Sequence, residues 1–175
     1  MPDQVDRIIG QWHAEKPELD VSSMATLGRL IRTTLVVESR LAETFARHGL
    51  DAPSFDVLAT LLRSGAPYRI TPLELAREAM ISTSAVAQRL NKLESRGFVT
   101  REANPDDGRG TLVSLTNAGK NLIETALPDH LETEHSITAA LSIEEQALLA
   151  MLLQRINTAA SSPRPLPSNV PMGTM

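Results

Sequence analysis

Cysteine is absent from the sequence, which excludes a disulfide framework, a thiolate metal site and any thiol-based redox switch. Aromatic residues are scarce, with one Trp, one Tyr and three Phe in 175 residues. The 42% of hydrophobic residues is therefore mostly Leu, Ala, Val and Ile, a bias that suits helices better than a β-sandwich. No apolar run approaches the roughly 20 residues that a membrane span needs. Met1 to Gln11 also lacks the basic-then-apolar order of a signal peptide. These absences lead us to expect a soluble, cytoplasmic protein. An excess of positive charge is missing too, the formal net charge being −4. That does not exclude a nucleic-acid partner, because binding depends on where positive charge sits. Between Arg77 and Arg109 there are six basic and five acidic residues, a local balance of +1 that leaves −5 for the rest.

What is present is helical periodicity with clear stop signals. Val5, Ile8, Ile9 and Trp12 fall on one stripe, predicting a short helix over Asp3 to Ala14 that Lys16-Pro17 ends. Ser22 or Ser23 is expected to cap a long helix to about His48, with Leu27, Leu30, Ile31, Leu35, Leu41 and Phe45 on one face and Gly49 as its stop. A third helix is expected from Ala52-Pro53 to Arg63. Thr71-Pro72 with Glu74 is a capped start for a fourth, reaching about Ala79. Ser82 opens a fifth that ends at Arg96-Gly97. Two β-prone runs follow, Phe98 to Ala103 and Thr111 to Leu115, joined by Asn, Pro, Asp and Gly as in a hairpin. Thr116 is expected to cap a long helix bent at Pro128, and Ser142 with Glu145 forms a capping box for a last one. The Pro- and Ser-rich end has no pattern that packs and is expected to be disordered.

The expected fold is mainly α with a small β-hairpin wing: a helix–turn–helix followed by a hairpin, the layout of a winged DNA-reading module. The expected organisation is an N-terminal extension helix in residues 1–20 and a helical dimerisation region in 21–52 and 116–160. The winged helix–turn–helix occupies 53–115, and a tail follows in 161–175.

Within the fifth helix Val86, Leu90 and Leu93 form a narrow apolar stripe that must pack on the core. Opposite lie Ser84, Gln88, Asn91 and Ser95, uncharged donors and acceptors suited to base edges in a major groove. Lys92 and Arg96 sit on one flank, within reach of phosphates. The helix start at Ser82, Thr83 and Ser84 adds backbone N–H groups suited to a phosphate. Arg89 belongs elsewhere. It lies about 60° from the centre of the apolar stripe, where it either runs along apolar surface to solvent or pairs with something buried or bound. At the hairpin tip Arg109 stands among small residues, where an arginine can enter a minor groove, and Asp107 is placed to hold its guanidinium.

These segments resemble the winged helix–turn–helix core of the MarR family of bacterial transcription regulators. The wing carries the most specific piece, Asp107-x-Arg109 followed by Leu115-Thr116 and Gly119, supported by Leu93, Glu94, Gly97 and Phe98 in an LExxGF pattern. Many members have two arginines at the wing tip, whereas here Gly108 precedes Arg109. The extra N-terminal helix with "IIGQWH" is similar to the urate-responsive, PecS-like branch. That branch carries a Trp in this helix, an Asp in a "DVL" segment, an Arg in the recognition helix and an Arg just after it in the strand. The matching positions are Trp12, Asp56, Arg89 and Arg101. By residue type alone, Trp12 also reads as packing, Asp56 as a solvated carboxylate and Arg101 as a surface contact.

The resemblance implies a homodimeric repressor on double-stranded operator DNA, with approximately palindromic half-sites about one helical turn apart. A small anionic ligand, urate first, would release it. Arg89 and Arg101 would bond the anion, Trp12 would stack on it, and Asp56 would hold Arg89 when no ligand is bound. A tricarboxylate or a phenolic acid is the alternative effector. With no long apolar run and no nucleophile–base set or Gly-rich phosphate loop in the sequence, no cofactor, membrane partner or catalytic residues are expected. The remaining class, a helical metal-binding protein or enzyme, would have to use His130 and His135 with Asp129 and Glu134. Those histidines are five apart, about 140° around a helix, so they do not chelate from one face.

Overall fold

The computed structural model describes residues 2–79, 83–105 and 110–161; of Thr83 only the backbone is described. The chain divides into two compact units, Met1–His135 and Ser136–Met175. The first contains α1 (Gln4–Glu15), α2 (Ser22–Arg47), α3 (Ala52–Arg63), β1 (Arg69–Ile70), α4 (Pro72–Glu78), α5 (Thr83–Ser95), β2 (Val99–Ala103), β3 (Thr111–Leu115) and most of α6 (Asn117–Thr138). The second contains the end of α6 and α7 (Ile143–Ser161). Ser161, assigned from sequence to the tail, closes α7 instead. Residues 162–175 lie outside the described residues. Among the described residues no single helix is long and apolar enough to cross a membrane.

Helix starts follow local chemistry. Asp3 and Asp6 make a reciprocal capping box on α1, and Thr71 and Glu74 make another on α4. Thr116 Oγ1 accepts from the Gly119 amide at 3.0 Å to open α6. Ser142 and Glu145 exchange hydrogen bonds at the start of α7. The expected serine cap on α2 is corrected. The N-cap is the buried Val21, and Asp20 Oδ1 accepts from the Ser22 amide at 3.0 Å, so the carboxylate two residues earlier does the serine's work. α2 ends at Arg47 with His48 as its C-cap, and the following Gly49 takes a φ of 64° that suits a residue without a Cβ. α6 runs through Pro128 as one helix.

The sheet has three antiparallel strands in the order β1-β3-β2, with Val99 opposite Leu115, Ala103 opposite Thr111, and Arg69 opposite Ser114. β1 was not expected, because two residues in a turn-rich stretch carry no alternation to read. Phe45, Leu58, Leu61, Leu75, Leu90, Leu93, Val113 and Ile123 are among the buried side chains of one core. That core joins α2, α3, α4, α5, the sheet and α6 within the first unit. The architecture is a mainly helical winged helix–turn–helix: α4 and α5, then the β2–β3 hairpin.

Candidate functional site

The apolar stripe of α5 lies against the core. Val86, Leu90 and Leu93 are buried, so Ser84, Gln88, Asn91 and Ser95 are turned outward, and all four are exposed. Thr83 begins the helix. Ser82, Asp107 and Arg109 lie outside the described residues, as does the Thr83 side chain.

The cations of α5 point back at the protein. Arg89 Nη1 donates to Asp51 Oδ2 at 2.8 Å, and Lys92 Nζ reaches the same oxygen at 2.8 Å. Arg96 Nη1 donates to the Gly49 carbonyl at 2.8 Å, with its guanidinium 4.8 Å from the centre of the Phe98 ring. These three residues recur at i, i+3 and i+7, one helix face, and that face meets the corner between α2 and α3. The other Asp51 oxygen, Oδ1, accepts from the Ser54 amide at 2.9 Å and starts α3. Burial opposes charge on Asp51. Hydrogen bonds from Lys92 and Ser54 and the charge of Arg89 outweigh it and hold the carboxyl down at about 2. Arg89 Nε is buried with no hydrogen-bond partner, so one of its donors is unspent.

The carboxylate seen on Arg89 is thus Asp51, whereas the resemblance implies Asp56 for that role. The N-terminus of α3 meets α5, whereas Asp56, in the second turn, lines a cavity on another side of α3. Sequence reasoning missed Asp51. The local signal was there, an Asp two residues before Pro53 as a helix cap, but its partner is 38 residues away.

Arg101 is drawn onto α5 as well. Its Nε donates to Glu94 Oε2 at 2.9 Å and its Nη2 to Asn91 Oδ1 at 2.7 Å. The hydrogen bond from Arg101 lowers the Glu94 pKa and in return raises that of Arg101. Asn91, expected to face bases, is therefore also oriented by β2.

The cavity that Asp56 lines has a volume of about 820 Å³ and lies between α2, α3 and α6. Its wall is mostly apolar, including Leu41, Phe45, Phe55, Leu62 and Leu127, with Glu38, Arg63, His130 and Glu134 as polar members. The His130 ring lies 4.6 Å from that of Phe55, and its Nε2 is 3.3 Å from Glu134 Oε1. Its Nδ1 is buried without a partner. Among the described residues no group of three or more His, Cys, Asp or Glu is placed to hold a metal ion.

Trp12 stands on α1 with 40% of its surface exposed. α1 is fixed to α2 by Arg29, which donates to Asp3 at 2.8 Å and to Asp6 at 2.6 Å. Val5 adds to this contact by filling the notch left by Gly28. Within one chain the four candidate ligand residues thus have separate surroundings: Trp12 on α1, Asp56 at the cavity, Arg89 on Asp51 and Arg101 on Glu94.

Comparisons with known proteins agree with this architecture. A family model described as MarR family matches residues 48–110. The chain is 38% identical over 153 residues to the HTH-type transcriptional regulator PecS of Dickeya dadantii, covering 87% of this chain and 92% of that one. A crystal structure of a mutant MarR from E. coli complexed with operator DNA aligns with a TM-score of 0.68 and 30% identity, covering 79% of this chain and 99% of that one. A MarR family regulator from Streptomyces coelicolor in complex with DNA matches in fold, with a TM-score of 0.75 at 24% identity over 85% and 97% of the two chains. Fold and relatives alike are those of transcriptional regulators rather than enzymes. With a relative of this identity matched along nearly its whole length, the chain belongs to the MarR family of helix–turn–helix transcription regulators.

Proposed function

We propose that this protein is a homodimeric, cytoplasmic repressor that reads a pseudo-palindromic operator and releases it when a small anion binds, urate above all. The observation that carries DNA reading is the outward polar face of α5, set opposite three buried apolar residues. Ser84, Gln88, Asn91 and Ser95 would meet base edges, with Ser82 and Thr83 near phosphates, while Lys92 and Arg96 lie on the phosphate-side flank but are held by Asp51 and Gly49 in the free chain. Arg109, braced by Asp107, would enter the minor groove. The structure of the E. coli relative holds operator DNA, and the match covers nearly all of that chain. Residues 21–52 and 116–160 would supply the dimer interface.

The urate assignment rests on the four residues shared with the urate-responsive branch. In the free chain Arg89 and Arg101 are paired to carboxylates, and ion pairs this exposed are each worth under about 1 kcal/mol. An anion offering charge-assisted bonds competes readily with such partners. The unspent Arg89 Nε gives it a further donor. Binding would then gather Trp12, Asp56, Arg89 and Arg101 and rotate α5 relative to the groove, a coupling of about 1–3 kcal/mol. A phenolic acid is the second reading, favoured by the aromatic wall of Phe45, Phe55 and His130 with Arg63 beside it.

The test is titration of urate into the complex with DNA from upstream of the protein's own gene. Release is expected, and a complex that stays bound at millimolar urate sinks the assignment. Trp12 fluorescence against urate, citrate and salicylate separates the two readings. Trp12→Phe should keep DNA binding and lose the urate response.

A further inference from the structure

Asp51 uses both carboxylate oxygens on different elements. Oδ1 caps α3, while Oδ2 gathers Arg89 and Lys92 from α5. Two residues earlier the Gly49 carbonyl takes Arg96. One short corner between α2 and α3 thus holds two cations of α5, Arg89 and Lys92, and Arg96 directly after its end. The apolar stripe of Val86, Leu90 and Leu93 resists lifting of α5 but is narrow, and a narrow stripe constrains rotation about the helix axis poorly. Arg101 of β2 holds α5 at Asn91 and Glu94, and a fixed anion on the other flank adds a second constraint. The first turn of α3, directly after Asp51, contributes Ala52, Pro53 and Phe55 to the wall of the 820 Å³ cavity, and Asp56 follows in the second.

We propose that Asp51 is the positioning residue of the reading helix: it sets the rotation of α5 that aims Gln88 and Asn91 outward, and it links the cavity wall to that rotation. The proposal rests on α5 being the DNA reader. While Asp51 keeps Arg89 and Lys92, those cations are withheld from phosphates, so non-specific affinity is low and base contacts decide binding. Displacing the start of α3 moves the anchor, and α5 turns with it.

The experiment compares the full-length wild type with Asp51→Asn and Asp51→Ala. The probes are a duplex that the wild type selects from a random pool and an unselected duplex, across a range of salt. Asn still accepts from the Ser54 amide and is as good a helix cap as Asp, so the fold persists. It lacks the charge that holds the two cations. For Asp51→Asn the selected-to-unselected affinity ratio should fall about tenfold. The salt dependence should steepen by about one counterion per freed cation, with melting within a few degrees of wild type. Asp51→Ala should lose the ratio at least as far and melt lower. Adding Lys92→Met to Asp51→Asn should return part of the salt dependence.

An Asp51→Asn protein that keeps both the wild-type ratio and the wild-type salt dependence overturns the proposal. Gln88→Ala and Asn91→Ala proteins that keep the wild-type ratio overturn α5 as the reader, which is a different failure. So is a wild type that selects no sequence, which overturns DNA reading and this inference with it.

Discussion

A Cβ placed on Gly119 would run into the Phe98 carbonyl, lying 2.9 Å from its carbon and closer still to its oxygen. The same carbonyl accepts from the Thr116 amide at 3.1 Å, while Thr116 Oγ1 donates to the Gly97 carbonyl at 2.7 Å. Thr116 and Gly119 therefore clamp the start of α6 to the Gly97-Phe98 turn between α5 and β2, which explains physically why the wing motif ends in Thr and Gly. Gly119→Ala should cost about 2–3 kcal/mol through backbone overpacking, lowering the melting temperature by roughly 5–10 °C; an unchanged melting curve would contradict this packing. Asp51 gives a second prediction at this scale. Its folded pKa of about 2 lies below its ordinary 3.8, so its stabilisation is present above about pH 4 and lost as pH falls toward 2. With the side chain 36% exposed, screening reduces the contribution to about 1 kcal/mol. Urea melts of wild type and Asp51→Asn should differ by that amount near neutrality and converge in acid; a constant gap would contradict the ion pairs.

The helices were legible in sequence because their causes are local. Caps at Asp3, Thr71, Thr116 and Ser142 and the stops at Gly49 and Gly97 sit within a few residues of the ends they define. What escaped was non-local. β1 exists because Arg69 and Ile70 meet β3 more than forty residues later. Arg89 finds Asp51 because of how α3 packs on α5. Periodicity placed Arg89 correctly on the inner flank but could not choose its carboxylate. α7 raises a different question, since none of its residues is buried although Leu148, Leu149, Met151, Leu152 and Leu153 all stand on it. So much exposed apolar surface calls for a partner. In the proposed dimer a second copy covers it. Leu148→Glu with Leu152→Glu removes two same-face leucines, each worth about 2 kcal/mol when buried, and a two-fold interface counts each twice. Sedimentation equilibrium should then show monomer where the wild type is a dimer, with dissociation strengthened at least ~1000-fold. Identical masses for the two proteins would place the interface elsewhere.

At the scale of the whole molecule, a protein of net charge −4 is a poor generic polyanion binder. The near-neutral balance of the reading module, with Lys92 and Arg96 turned onto Asp51 and Gly49, points the same way. Affinity for an operator must then come from matched geometry at two half-sites more than from counterion release. If each half-site engages about two to three phosphates, a dimer neutralises about five, and the logarithm of the affinity should fall with the logarithm of salt at a slope of roughly −4 to −5. Inserting five base pairs between the half-sites rotates one by about half a turn relative to the other, so the second reading helix faces the wrong side of the duplex. Affinity should then drop toward that of a single half-site, at least ~100-fold, since joining two modules on one dimer multiplies their binding. Competition of these duplexes in a mobility-shift assay, repeated at several salt concentrations, measures both quantities. A steep salt slope with indifference to the insertion would mean that charge rather than paired geometry holds the DNA, and the proposed two-fold reader would have to be abandoned.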